Sequence, residues 1–289
     1  MTVLRLRDRQ FGPGQFAVMG IVNRTPDSFY DKGATFAFQA ALSRVDDLVT
    51  QGVDIVDIGG VKAAPGEPVS VAEEIERTAE LVTAVRAAHP QLIISVDTWR
   101  HEVGEAVCRA GADLLNDAWG GHDPELAEVA AAHHVGIVCT HVGHVAPRTR
   151  PHRIRYDDVT ADAIAHTVAL AERAAQLGVP RESILIDPAH DFGKNTYHSL
   201  QLTRELDRMV DTGWPVLVSL SNKDFVGETL GGLPTDQRLI GTLAATAIAA
   251  WHGAVVHRVH NVHETRQVLD MIASIQGHRP PGRTTRGLA

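Results

Sequence analysis

Residues 92–98 read Leu-Ile-Ile-Ser-Val-Asp-Thr, an apolar run that ends in a carboxylate and a hydroxyl. A run that is apolar almost throughout is typical of a parallel strand covered on both faces. In the preceding stretch, Ser70 and Glu73 have the spacing of a capping box, and helical periodicity continues up to Pro90. The apolar face predicted for this helix consists of Val71, Ile75, Ala79, Val82 and Val85. A second helical stretch follows at 101–110, so this part of the chain predicts the order helix, strand, helix.

The same unit recurs along the whole chain. Eight runs predict strands: Phe16–Val22, Ile55–Ile58, Leu92–Val96, Leu114–Asn116, Gly136–Thr140, Ile184–Asp187, Val216–Leu220 and Val255–Val259. Helical periodicity lies between and after them, at 37–50, 70–89, 101–110, 124–133, 158–177, 197–211, 235–253 and 262–275. We expect Thr235 to be an N-cap and Gly253 a C-terminal stop.

Eight alternating units within about 250 residues have the size of a TIM barrel. We therefore predict an α/β fold, a single-domain (β/α)₈ barrel over residues 1–276. An open doubly wound sheet is the alternative, although it more often has fewer strands. The segment 277–289 is rich in Pro, Gly and Arg and has no apolar face, which predicts a loose C-terminal tail.

Composition narrows the classes of partner. The formal net charge of −8 and pI near 6.0 argue against nucleic acid as a partner. The first ten residues carry charges where a signal peptide needs an apolar stretch, and no run is long enough to span a membrane. Cys108 and Cys139 lack the spacing of a pair, which favours a reducing compartment and predicts a cytoplasmic protein.

Polar residues follow the predicted strands at their carboxyl ends, where barrel enzymes carry their active sites. Each alone could be a helix cap or a solvated side chain, but in a barrel they would converge at one mouth. They are Asn23, Asp97, Asn116, Asp187, Lys223, Arg258 and His260. Two carboxylates, an amide and an ammonium suit a flat heterocycle with several N–H and C=O groups. Arg258, His260 and Asn23 suit a phosphate or pyrophosphate group together with Mg²⁺.

These residues belong to longer motifs that resemble the dihydropteroate synthase family. The first is Met-Gly-Ile-Val-Asn-Arg-Thr-Pro-Asp-Ser-Phe at 19–29. Further similar blocks are Asp57-Ile-Gly-Gly, Ser95-Val-Asp-Thr, Leu115-Asn-Asp, Asp187-Pro, Phe192-Gly-Lys, Lys223 with Phe225, and Arg258-Val-His260. The resemblance implies a TIM barrel, a homodimer, and the joining of 6-hydroxymethyl-7,8-dihydropterin pyrophosphate to p-aminobenzoate in folate synthesis.

The resemblance also implies roles for the site residues. Pterin-binding residues would be Asp97, Asn116, Asp187 and Lys223. Arg258 and His260 would bind the pyrophosphate, and Asn23 would contact its Mg²⁺. Asp31 and Lys223 are the catalytic candidates, with Asp31 matching the family aspartate that stabilises the pterin cation after pyrophosphate leaves.

The chain departs from the family at loop positions. Where the family reads Gly-Gly-Glu-Ser-Thr-Arg-Pro-Gly, residues 59–66 read Gly-Gly-Val-Lys-Ala-Ala-Pro-Gly, so the pyrophosphate-binding arginine is Ala64. Lys62 could replace it only as a point charge from another place. Near the aminobenzoate carboxylate, Asn222 replaces an arginine and Asp224 a serine, which we expect to leave an uncompensated negative charge. Two further changes are Ala189-His190-Asp191 for Gly-x-Gly, expected to add bulk beside the pterin pocket, and Arg24 for a small apolar residue.

The kept pterin positions and the altered loops favour a pterin-binding barrel with weak or no dihydropteroate synthase activity, similar to divergent second copies in some bacteria. Three other hypotheses remain open: an authentic synthase of folate biosynthesis, a non-catalytic pterin-binding regulatory or assembly protein, and a transferase with a non-anionic acceptor.

Overall fold

A computed structural model describes residues 3–24, 38–143, 145–149 and 154–286. Its strands are β1 (Leu4–Leu6), β2 (Arg9–Phe11), β3 (Ala17–Asn23), β4 (Ile55–Gly59), β5 (Ile93–Asp97), β6 (Leu114–Asp117), β7 (Gly136–Thr140), β8 (Ile184–Asp187), β9 (Leu217–Val218) and β10 (Val256–Val259). Its α-helices are α1 (Phe38–Thr50), α2 (Val71–Ala88), α3 (His101–Ala110), α4 (Glu125–Ala132), α5 (Val159–Leu177), α6 (Thr196–Arg204), α7 (Leu206–Val210), α8 (Asp224–Thr229), α9 (Leu239–His252) and α10 (Val262–Ile275). Among the described residues, no helix is long and apolar enough to cross a bilayer.

The eight strands β3 to β10 form one parallel sheet, which confirms the predicted TIM barrel. Each strand from β3 to β7 pairs with the next along the chain, and β10 lies between β3 and β9. A single parallel bridge from Ile186 to Val216 closes the circle between β8 and β9.

Alternation along the strands divides the core into two parts. Residues pointing outward, such as Val56, Ile94 and Leu115, pack against the surrounding helices. Residues pointing inward near the strands' amino ends fill the barrel with apolar side chains: Ala17, Met19, Ile55, Ile93, Leu114, Val138, Leu185, Leu217 and Val256. The next inward positions, nearer the carboxyl ends, therefore face the barrel mouth.

An antiparallel hairpin, β1 with β2, closes the amino end of the barrel. Its Leu4, Leu6 and Phe11 side chains are buried in the same cluster as the interior residues. The sequence analysis missed this hairpin because each strand has only three residues, and Arg5 and Arg9 interrupt any apolar run.

The helix that precedes β5 differs in detail from its prediction. Ser70 Oγ accepts a hydrogen bond from Glu73 N as expected, but the Glu73 side chain pairs with Arg77 and does not complete the capping box. The buried face is also rotated from the predicted one, because Glu74 and Thr78 are fully buried with Leu81, Val82 and Val85. Burial of Glu74 is compensated by Arg100, whose Nη1 lies 2.8 Å from Glu74 Oε2.

Three other expectations need correction. The helix predicted over 197–211 breaks at Glu205, which has non-helical dihedral angles and separates α6 from α7. Thr235 is not an N-cap, because residues 235–237 form a 3₁₀ turn and α9 begins only at Leu239. The strand predicted over Val216–Leu220 is reduced to β9. Gly253 does end α9, in a left-handed conformation with φ of 105° that favours glycine.

Candidate functional site

The barrel mouth contains one cavity of about 530 Å³, within the usual range of ligand pockets. Seven of the sequence-predicted site residues line it: Asn23, Asp97, Asn116, Asp187, Lys223, Arg258 and His260. Asp31, the eighth, lies outside the described residues. Six of the seven stand on or directly after strands whose alternation turns them inward, and Lys223 immediately precedes α8. The structure therefore brings these seven residues together.

Asp57 is the central acceptor beneath this cavity. It is fully buried, and three side chains donate to its carboxylate. Ser95 Oγ donates to Oδ1 at 2.6 Å, while Oδ2 accepts from Arg258 Nε at 2.6 Å and Asn116 Nδ2 at 3.2 Å. Such close pairing satisfies a carboxylate that would otherwise be costly to bury.

Arg258 also reaches a second carboxylate, since its Nη2 lies 2.9 Å from Asp97 Oδ2. The cation assigned to pyrophosphate is thus shared between Asp57 and Asp97. Burial raises the pKa of Asp97 to about 7, Arg258 opposes this rise, and the neighbouring charge of Asp57 adds to it. The Asp97 carboxyl group therefore gains or loses its proton near neutral pH.

Asp187 lies on the other side of the mouth, at the end of β8. Its Oδ1 accepts a hydrogen bond from Ala189 N at 2.7 Å. Burial raises its pKa, and the charges of Lys223 and Lys194 oppose the rise. Its remaining lone pairs are available for N–H groups of a ligand.

Lys223 lines the same cavity as Asp187. Its Nζ donates to the carbonyl of His190 and lies 4.6 Å from the centroid of the Phe192 ring. Burial lowers its pKa, while Asp191 and Asp187 oppose the fall. Lys223 combines an ammonium donor with an aromatic surface against which a flat ring can stack.

A buried lysine fixes this aromatic wall. Lys194 Nζ donates to the carbonyls of His141 at 2.8 Å, Phe192 at 2.8 Å and Ala189 at 3.2 Å. It thereby ties the loop after β7 to the loop after β8. Phe192 also packs edge-on against Trp119, with ring centroids 5.4 Å apart.

His260 and Asn23 lie on neighbouring strands of the mouth. His260 Nδ1 is 2.9 Å from Ser221 Oγ, which fixes the imidazole orientation. A β-carbon built on Gly59 would lie 3.6 Å from Asn23 Oδ1, so that oxygen lies close against β4. Asn23 offers a metal ion only one amide oxygen. Among the described residues, the cluster of side chains that could together ligate a metal ion lies elsewhere, at His101, Glu102 and Asp123.

The loop after β4 contributes four residues to the cavity wall: Val61, Lys62, Ala63 and Ala64. An arginine from the loop after β7 holds it in place. Arg148 Nη1 donates to Glu67 O at 2.8 Å and Nε donates to Ala64 O at 3.3 Å. The two loops thus meet over the mouth.

The loop after β9 corrects one expectation from the sequence. Asp224 is compensated, because Arg238 Nη1 lies 2.9 Å from Asp224 Oδ1 and also donates to Asn222 O. Asn222 has φ of 57°, a left-handed conformation that asparagine tolerates better than most residues. The aminobenzoate side is therefore altered, but it does not carry an unpaired negative charge at Asp224.

Ala189 and Asp191, which replace the two glycines of Gly-x-Gly, line the cavity, whereas His190 between them and Arg24 lie away from its lining. His190 is buried with its ring stacked on Phe225, 5.6 Å between centroids, and burial lowers its pKa well below the usual range. It adds bulk behind the pocket wall, whereas Asp191 reaches the cavity. Arg24 Nε donates to Arg77 O at 3.1 Å, directed toward α2.

The sequence matches the pterin-binding enzyme family over residues 19–260. The chain belongs to the pterin-binding enzyme family. It is 57% identical over 276 residues to a protein of Mycobacterium leprae named inactive dihydropteroate synthase 2, with 94% of each chain covered.

Solved structures of pterin-binding enzymes have the same fold. A Yersinia pestis dihydropteroate synthase in a sulfonamide drug complex is 33% identical, with a TM-score of 0.89 over 96% of this chain and 100% of that one. The Xanthomonas albilineans dihydropteroate synthase in complex with 7,8-dihydropteroate is 36% identical, with a TM-score of 0.82 over 95% and 98%.

Sequence reasoning missed some polar residues of this pterin-binding family site. Thr140 and Ser219 line the cavity, and Ser95 supports Asp57 below it. Thr140 Oγ1 is buried and has no hydrogen-bond partner among the described residues. Applying the two-residue alternation within β5, β7 and after β9 would have identified all three as inward-facing.

Proposed function

We propose that this protein binds a reduced pterin in the barrel mouth and lacks dihydropteroate synthase activity. The proposal rests on a contrast between two sets of cavity residues, those on the strands and those on the loops. The ring-binding residues on the strands are present, whereas Ala63 and Ala64 replace the loop threonine and arginine. The name of the Mycobacterium leprae relative supports the same conclusion.

The pterin would bind through complementary hydrogen bonds. Asp97 and Asp187 accept from ring N–H and amino groups, and Asn116 can both donate and accept. Lys223 donates to a ring oxygen or nitrogen, and Phe192 provides the stacking surface. These contacts recognise the ring without taking part in bond cleavage.

The cleavage step lacks charge stabilisation. Pyrophosphate departure needs cations where negative charge develops, and Ala64 supplies none while Arg258 is shared by two carboxylates. Loss of one donor to such a charge typically costs about 10²–10³ in rate. We therefore expect synthase activity to fall at least that far below an enzyme with the complete loop.

A pair of measurements tests this function. Incubation with 6-hydroxymethyl-7,8-dihydropterin pyrophosphate, p-aminobenzoate and Mg²⁺ should give no dihydropteroate. Calorimetry with 6-hydroxymethyl-7,8-dihydropterin should show binding, and Lys223→Met should abolish it. Glu182→Gln, a change outside the cavity lining, is the control and should bind as wild type does. Turnover, or growth rescue of a strain lacking its synthase, would show an authentic synthase; absence of binding would reject the pterin site.

Back-substitution locates the lost activity. The triple change Ala64→Arg, Asn222→Arg and Asp224→Ser restores the two arginines and the serine that the family has at these three positions. Recovered synthase turnover would mean that only the loop chemistry was lost. Continued inactivity with retained pterin binding would assign the protein to a binding role.

We propose that Mg²⁺ enters only with a pyrophosphate-bearing ligand. Asn23 offers one neutral oxygen, so phosphate oxygens and water would have to complete the octahedral shell. Binding of the unphosphorylated pterin should accordingly not change when Mg²⁺ is chelated. For the compartment we propose the cytoplasm, since both cysteines, Cys108 and Cys139, are free thiols.

We also propose a homodimer that uses the outer face of α9 and α10. Ile240, Ile248 and Trp251 form an exposed stripe on α9, and Met271 and Ile275 are exposed on α10. Helix positions four, eight and eleven residues apart lie on one side, so the stripe is continuous. Clustered exposed apolar side chains of this kind mark association surfaces.

A further inference from the structure

We propose that the part of the cavity beneath the loops after β4 and β7 holds an uncharged, apolar substituent of the bound ring rather than a pyrophosphate group. This inference rests on the proposed pterin function and specifies the class of ligand. It assigns the loop substitutions a positive role in recognition.

The lining of this part of the cavity is mostly apolar. Of the residues that the two loops contribute, Lys62 and Thr149 are polar, and the other five are Val61, Ala63, Ala64, Val145 and Ile154. Ala118, after β6, extends the same wall. Methyl and isopropyl groups favour an apolar occupant because its contact removes apolar surface from water.

Arg148 holds the two loops together without adding charge to the cavity. Its guanidinium donates to the carbonyls of Ala64 and Glu67, and it is not among the cavity-lining residues. The guanidinium also lies close to Gly66, where a β-carbon would come within 2.9 Å of Arg148 Nη2. An arginine is therefore present near position 64, but it is used to fix backbone.

The charges of the cavity do not favour a pyrophosphate. The described lining has five carboxylates and four cations: Asp97, Asp187, Asp191, Asp224 and Glu228 against Lys62, Lys194, Lys223 and Arg258. Three of the four cations already have partners, namely the carbonyl cage of Lys194, the His190 carbonyl for Lys223, and two aspartates for Arg258. Among the described lining residues, a multiply charged anion would therefore meet no surplus of positive charge.

Lys62 is the cation on which the opposite hypothesis depends. The described residues give it no hydrogen bond or ion pair, so it could meet an anion as a single point charge. Its contribution can be measured directly, because Lys62→Met removes the charge and retains much of the chain length.

The experiment compares two ligands by calorimetry, with Mg²⁺ present throughout: 6-methyl-7,8-dihydropterin and 6-hydroxymethyl-7,8-dihydropterin pyrophosphate. Wild type should bind the methyl compound at least tenfold more tightly. Ala64→Arg should reduce that preference at least tenfold, whereas Ala132→Arg, at an exposed position on α4, should not change it. Lys62→Met should not weaken binding of the methyl compound, since methionine adds apolar surface to the same wall.

Each other outcome has a defined meaning. Tighter binding of the pyrophosphate compound by wild type would overturn the inference and leave the pterin function intact. If Lys62→Met then lost this tighter binding, the anion site would be assigned to Lys62. Equal binding of the two compounds, or an unchanged preference in Ala64→Arg, also overturns the inference. If neither compound binds, the pterin function itself fails and the inference with it.

Discussion

Asp57 organises the polar residues of the mouth although it does not line the cavity itself. Its neighbours Ser95, Asn116 and Arg258 all present donors. Because Arg258 also contacts Asp97, the position of the Asp97 carboxylate depends on the charge of Asp57. A change at Asp57 should therefore affect both stability and ligand binding.

We predict that Asp57→Asn lowers the free energy of unfolding by about 3 kcal/mol. This value is at the lower end of the range for removing one partner of a buried ion pair, because Arg258 would still pair with Asp97. The new amide group would also face donors on every side. Glu182→Gln is the control, because Glu182 forms an exposed pair with Arg5 and should change stability by less than about 1 kcal/mol. Urea denaturation measures both, and equal effects would contradict the role of Asp57.

Asp97 gives a pH dependence whose sign follows from its raised pKa. The unfolded chain releases this proton near pH 3.8, whereas the folded chain holds it up to about pH 7. Between these values the folded state binds more protons, so this group makes unfolding easier as pH rises. Asp97→Asn should remove this contribution from unfolding free energies measured at pH 5, 6 and 7. An identical pH slope in both proteins would mean that Arg258 keeps Asp97 ionised throughout.

The strand-end rule found Asp97, Asn116 and Asp187 from sequence because each directly ends an apolar run. It could not find the pairing of Arg258 with two aspartates, since the partners are separated by 161 and 201 positions in the chain. The compensation of Asp224 by Arg238 was missed for a related reason: the chain turns back between them through α8 and a 3₁₀ turn.

At the scale of elements, the hairpin of β1 and β2 acts as the floor of the barrel. Leu6 is buried among interior side chains, while Arg5 beside it is exposed. We predict that Leu6→Ala lowers the free energy of unfolding by about 2–5 kcal/mol, as for other buried leucines. Arg5→Ala should cost less than about 1 kcal/mol. Denaturation of the two variants tests whether the floor belongs to the cooperative fold; a Leu6→Ala value near that of Arg5→Ala would mean that it does not.

Long periodic elements were predicted well, and short ones were not. α2 and α5 begin and end within a residue or two of the sequence prediction because caps and apolar faces mark them. α8 has six residues and contains Gly227, so it carries no recognisable periodicity. β9 shortens to two residues where the barrel closes through one bridge, a consequence of sheet geometry that local sequence does not encode.

For the whole molecule, association through α9 and α10 is the property to measure. Ile240 is 82% exposed and Trp251 is 53% exposed, so a charge in this stripe should disrupt the proposed dimer without affecting the core. Sedimentation equilibrium should give twice the 31.2 kDa chain mass for wild type and the single-chain mass for Ile240→Glu. Thr83→Glu, exposed on α2, should remain dimeric. A monomeric wild type, or a dimeric Ile240→Glu, would contradict the proposal.

Asp97 and Asp187, the carboxylates proposed to bind the ring, lie on strands, whereas the altered positions lie in or next to loops that Arg148 and Arg238 hold in place. Mutations can therefore accumulate in one set with little effect on the other. A lineage that no longer needs the original reaction can keep the scaffold and its affinity for the ring, because selection on folding still protects the strands. The loops are then free to diverge toward a new substrate, and the barrel preserves a recognisable ancestry long after its chemistry has changed.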